Sequence, residues 1–60
     1  MNRYQDLVEL AHLCARNAHG ADANDVATTL WEMAEEYRAQ AATLGAAPEI
    51  GEPPSRVRQR

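Results

Sequence analysis

Apolar residues recur along this chain with a helical period in two segments and lose all period beyond residue 45. At 100° per residue, Tyr4, Leu7, Val8, Ala11, Cys14, Ala15 and Ala18 fall on one stripe of a first helix. Val26, Leu30, Met33, Ala34, Tyr37, Ala41 and Leu44 do the same on a second. Ala27, Ala34 and Ala41 repeat every seven residues, and so do Leu30, Tyr37 and Leu44. Small residues at one seam position let two helix backbones approach closely. The pattern predicts an all-α fold, with helices over about residues 3–19 and 23–44.

Local signals set the ends. Asn2 suits the cap of the first helix, with Gln5 at the reciprocal position of a capping box. Gly20 suits the left-handed residue past the helix end, and Gly45 the end of the second helix. Asp22 or Asn24 is the expected cap of the second helix, with Asp25 favourably placed in its first turn. So short a connection makes the helices antiparallel neighbours, an αα-hairpin spanning residues 1–45. Residues 46–60 hold Pro48, Pro53 and Pro54 and end in arginines. They read as an extended or disordered tail.

Sixty residues make one small domain. The large apolar side chains are few, phenylalanine is missing, and much of the 45% hydrophobic fraction is alanine, which buries little area. A single cysteine closes no internal disulfide, and no Cys/His spacing builds a structural zinc site. Association is the remaining way to stabilise such a chain. The expectation is a homodimer, two hairpins forming a four-helix bundle. Its interface would draw on Leu10, Leu13, Leu30, Trp31, Ala34, Tyr37 and Ala41. Trp31 stands at the margin of the second stripe, where one thin hairpin offers little cover, and tryptophan is enriched in interfaces.

Charge narrows the function classes. Residues 1–45 carry three arginines against seven carboxylates, and residues 46–60 three arginines against two. An acidic body argues against a nucleic-acid surface on the hairpin. Arg56, Arg58 and Arg60 in the tail keep open a docking peptide for an acidic partner or nucleic acid. No run is apolar enough for a membrane span, and no signal peptide is visible at the N-terminus. A lone free cysteine fits a reducing cytoplasm.

The sequence at Tyr4, Leu7, Ala11, Cys14, Ala15 and Ala18, then Leu30, Met33, Ala34, Tyr37 and Ala41, resembles a group of very short helical proteins common in Alphaproteobacteria. The likeness covers about residues 4–44. The group usually has a brief Asp-Pro turn where this chain runs from His19 to Asp25, and often Trp where it has Tyr37. The resemblance implies a small helical hairpin in a bacterial cytoplasm and no activity.

Chemistry-bearing residues do not assemble into a reaction centre. Glu9 and His12 have the Glu-x-x-His spacing of di-iron bundles, but they point away from the apolar stripe, whereas such ligands project inward. His12 and His19 are two turns apart, about 10 Å, too far to chelate one ion. Cys14 lies in the apolar stripe and reads as a small buried hydrophobe. Ser55 has no base beside it. No nucleophile, base and oxyanion donors converge, so neither an enzyme nor a cofactor is expected. The reading is a protein–protein interaction module, a regulator, adaptor or accessory subunit working as a homodimer with an unknown protein partner. The alternatives are a nucleic-acid-associated protein using the arginine tail, or a metal-binding bundle.

Overall fold

The computed structural model describes residues 2–52. Two helices, α1 (Arg3–Gly20) and α2 (Asn24–Leu44), pack against each other, and no strand occurs among the described residues. The molecule is an α-helical hairpin whose helices are about 27 and 31 Å long at 1.5 Å per residue. Arg56, Arg58 and Arg60, with Pro53, Pro54 and Ser55, lie outside the described residues.

The start of α1 follows the sequence signal. Asn2 is extended at φ −112°, and its Oδ1 accepts a 3.1 Å hydrogen bond from the Gln5 backbone N–H. The end of α1 does not. Gly20 remains in the helix without a positive φ, and the chain leaves through Ala21 at φ −75°, ψ 140°. Ala21 N–H donates to the Ala18 carbonyl at 3.3 Å, so a tight i→i−3 bond closes the last turn and no left-handed residue is needed.

Neither Asp22 nor Asn24 caps α2. The cap position is Ala23, which has no side chain to offer, because Asn24 is already helical and Asp22 comes one residue early. Asp25 serves the first turn instead. Its Oδ1 accepts from Val26 N–H at 3.0 Å, its carbonyl accepts from Thr29 Oγ1 at 2.9 Å, and its charge sits at the positive end of the helix dipole.

The core is narrow and wholly apolar. Leu7, Ala11, Cys14, Ala15 and Ala18 of α1 meet Ala27, Trp31, Ala34 and Ala41 of α2. Ala11, Ala34 and Ala41 are fully shielded, and the alanine heptad forms the seam as its spacing predicts. The buried stripe of α2 is nevertheless rotated from the expected one. It runs through Ala27, Ala34 and Ala41 towards Trp31, which leaves Val26, Met33 and Leu44 exposed and Leu30 and Tyr37 half-buried. Close backbone approach at three alanines brings this side of α2 onto α1, and the bulkier heptad turns to the flank.

After Leu44 the chain doubles back as a strap. Gly45 N–H donates to the Ala41 carbonyl at 2.9 Å and ends the helix. Ala46 is then held by the Tyr4 hydroxyl at 2.7 Å, and Pro48 by Arg38 Nε at 3.0 Å, each donating to a backbone carbonyl. Pro48 is buried, and Ile50 packs on the cluster of Cys14, Ala15, Ala18, Trp31 and Ala34.

Candidate interaction surface

The two packed helices leave two sides, one on either flank of the buried seam. Their composition follows from which flank of each buried stripe faces them.

One side is closed by the strap. Tyr4 and Arg38, which hold it, lie on the Trp31 flank of the stripes. His19 in the last turn of α1 meets the Trp31 ring edge to face, with centroids 6.1 Å apart and planes at 87°. Trp31 is 7% exposed, and its cover comes from its own chain. The strap was not visible in the hydropathy pattern, and it supplies the shelter that a bare hairpin lacks.

Among the described residues, the other side is open. Large apolar side chains lie exposed there, from Leu10 at 38% to Leu44 at 54%, with Leu13, Val26 and Met33 between. Leu30 and Tyr37 continue the surface towards the seam, both half-buried. A groove lined by Arg3, Asp6, Leu7, Leu10, Tyr37 and Gln40 joins the helices, which establishes that these flanks share one side. Arg3 and Asp6 bring one charge of each sign to the end of this side. The carboxylates of Glu32, Glu35 and Glu36 instead line the outer surface of α2.

The residues expected at an interface therefore separate by location. Leu10 and Leu13 are exposed on the open side, and Leu30 and Tyr37 are half-buried beside them. Trp31, Ala34 and Ala41 are buried inside one hairpin. Their cover needs no second chain. Val26, Met33 and Leu44 are exposed although the helical period sets them on the second stripe with Ala34 and Ala41. The available signal was angular, since at 100° per residue they fall on the Tyr37 flank of the alanine heptad.

Other chemistry is sparse among the described residues. No three His, Cys, Asp or Glu side chains converge on a point that could hold a metal ion. Glu9 and His12 are exposed, and Cys14 is a buried free thiol. Arg38 approaches Glu35 at 3.6 Å, a half-exposed pair of the kind that adds little stability. Among the described residues no helix is long and apolar enough to cross a membrane. Comparison with protein-family models, curated proteins and solved structures gives no match for this chain, so its function is read from the residues alone.

Proposed function

We propose that this protein is a non-enzymatic protein–protein interaction module, a regulator, adaptor or accessory subunit, that works as a homodimer in the cytoplasm. Two hairpins join through their open sides into a four-helix bundle. The observation that carries this reading is the contrast between the two sides. One is closed by the chain's own strap at Pro48 and Ile50, and the other carries Leu10, Leu13, Val26, Met33 and Leu44 to solvent. Exposed large apolar side chains gathered on one side of a small domain are a feature of association sites.

The need for association comes from the core. Of its buried residues most are alanine, and Leu7 and Trp31 are the large ones. So little buried area leaves a domain of this size marginal on its own. Sedimentation equilibrium of the full chain tests the reading. The mass should move from monomer to dimer as concentration rises, and Met33→Glu should hold the chain monomeric with its helical circular dichroism retained. A concentration-independent monomer that still unfolds cooperatively would sink the proposal.

A further inference from the structure

Residues 46–52 are tied to the hairpin through side chains. Among the described residues, no backbone–backbone hydrogen bond joins this strap to either helix, and the last one before it runs from Gly45 N–H to the Ala41 carbonyl at its root. Beyond that point the Tyr4 hydroxyl donates to the Ala46 carbonyl at 2.7 Å, and Arg38 Nε to the Pro48 carbonyl at 3.0 Å. Pro48 is buried and Ile50 half-buried, while Ala46, Ala47, Glu49, Gly51 and Glu52 stand exposed. The strap therefore holds on at alternate positions, 46, 48 and 50.

Lifting the strap is a local event. Two hydrogen bonds break, and no rung of either helix. The freed carbonyls turn to water, and so does the Tyr4 hydroxyl, whose bond is already at the surface. The Arg38 side chain is 42% exposed and keeps Glu35 at 3.6 Å, so it is left wet and paired. No buried polar group is stranded. A segment with few buried apolar contacts and solvent-exposed hydrogen bonds opens below the free energy of global unfolding. What it lifts away from is specific. The cluster of Cys14, Ala15, Ala18, Trp31 and Ala34 is packed by Leu30 and Tyr37 from α2 and by Ile50 from the strap. Trp31 lies on the flank where Tyr4 and Arg38 hold the strap, and Ala15, one turn before His19, shares that flank.

We propose that residues 46–52 are a latch: they open as one unit while the hairpin stays folded, and the open state uncovers the Trp31 flank. The seam at Ala11, Ala34 and Ala41 is fully shielded between the helices and takes no part. Closed, the chain shows large apolar side chains on one flank, that of Leu10, Leu13, Val26, Met33 and Leu44. Open, it adds a second apolar flank at Trp31 and Ala15. Access to the indole is thus conditional, set by the two donors, Tyr4 and Arg38, and by the packing of Ile50. The latch stands whether or not the chain is a homodimer.

Two measurements on the full chain test the latch. Ile50→Asp sets a charge against the cluster and drives the open state. The emission of Trp31, the chain's one tryptophan, should move to the red while helical circular dichroism stays at the parent level. Emission that stays blue would show that the strap does not cover Trp31. Helix lost together with the blue emission would show that strap and hairpin fold as one unit. Either result overturns the proposal. Ala15→Cys, with Cys14→Ala as background, reads the minor open state with the strap intact. Its thiol should react with a disulfide reagent at a rate nearly independent of low urea, because lifting the strap exposes little surface. Tyr4→Phe should raise that rate about 2–10-fold, the worth of one hydrogen bond. A rate that climbs with urea as steeply as global unfolding does, or that ignores Tyr4→Phe, would confine access to the unfolded chain and remove the latch.

Discussion

Tyr4 and Gly45 close the open end of the hairpin together. A Cβ on Gly45 would stand 3.2 Å from Tyr4 Cε1, and the same tyrosine donates its hydroxyl to the next carbonyl, that of Ala46. The backbone of Gly45 is extended at φ −175°, so no left-handed conformation demands glycine here. What demands it is the aromatic ring lying across the turn.

The pairing predicts a change of sign in a mutant cycle. Gly45→Ala alone should be neutral or destabilising, because the ring must give way by a few tenths of an ångström and strain its hydrogen bond. In a Tyr4→Ala background the same change should stabilise by about 0.4–1 kcal/mol, through lost freedom of the unfolded chain. Equal effects in both backgrounds, measured by urea unfolding, would show that the ring and the glycine are uncoupled. Tyr4→Phe should cost about 0.5–1.5 kcal/mol, the worth of one ordinary hydrogen bond, and should speed amide exchange in the strap.

A second expectation concerns the missing cap of α2. Ala23 occupies the cap position at φ −98°, ψ 138°, the extended geometry that a capping serine or aspartate adopts, yet it has no oxygen to offer. Ala23→Ser should therefore stabilise the chain by about 0.5–2 kcal/mol. Thermal melting followed at 222 nm reads this as a rise in Tm, and a fall would mean that the turn at residues 21–23 leaves no room for the bond.

Ala34 offers the sharpest packing test. It is fully shielded where α1 and α2 approach, on the heptad that also holds Ala27 and Ala41. Ala34→Leu should overpack this seam and cost about 1–3 kcal/mol. Leu13→Ala, on the open side, should leave the stability of the single hairpin nearly untouched. A melting temperature indifferent to Ala34→Leu would require the seam to lie elsewhere.

The parts of this molecule legible in the sequence are those that repeat. Helix existence, the alanine seam and the Asn2 cap all follow from spacing or from a local side-chain preference. The strap leaves no such trace. Ala46–Ala47–Pro48–Glu49–Ile50 has no periodicity, and its two anchors are backbone carbonyls that any sequence would offer. Specificity sits on the receiving side, in Tyr4 and Arg38, whose roles emerge only once the chain has turned back. The same omission governs Trp31. With the strap unseen, an indole at the stripe margin reads as uncovered and free for a partner, and Val26, Met33 and Leu44 read as part of the stripe that faces the first helix. The strap shelters one flank, α2 turns its alanines inward, and the exposed flank becomes the opposite one.

That exchange of flanks gives Trp31 a definite signature. Its indole is buried among residues of its own chain, in the cluster with Cys14, Ala15, Ala18 and Ala34 and edge-on to His19. Trp31→Ala should therefore act on folding rather than on association alone, and removal of so large a buried side chain costs about 3–5 kcal/mol. For a chain this small that is a large part of any stability it has, so helical circular dichroism should fall even at high protein concentration. The emission of Trp31 should be blue-shifted and should stay so on dilution, because its own chain already shields the residue. The two readouts must agree. A red shift on dilution at constant helix content, together with a Trp31→Ala variant that folds but fails to associate, would move the indole to the subunit interface and make the strap-covered side the one that docks.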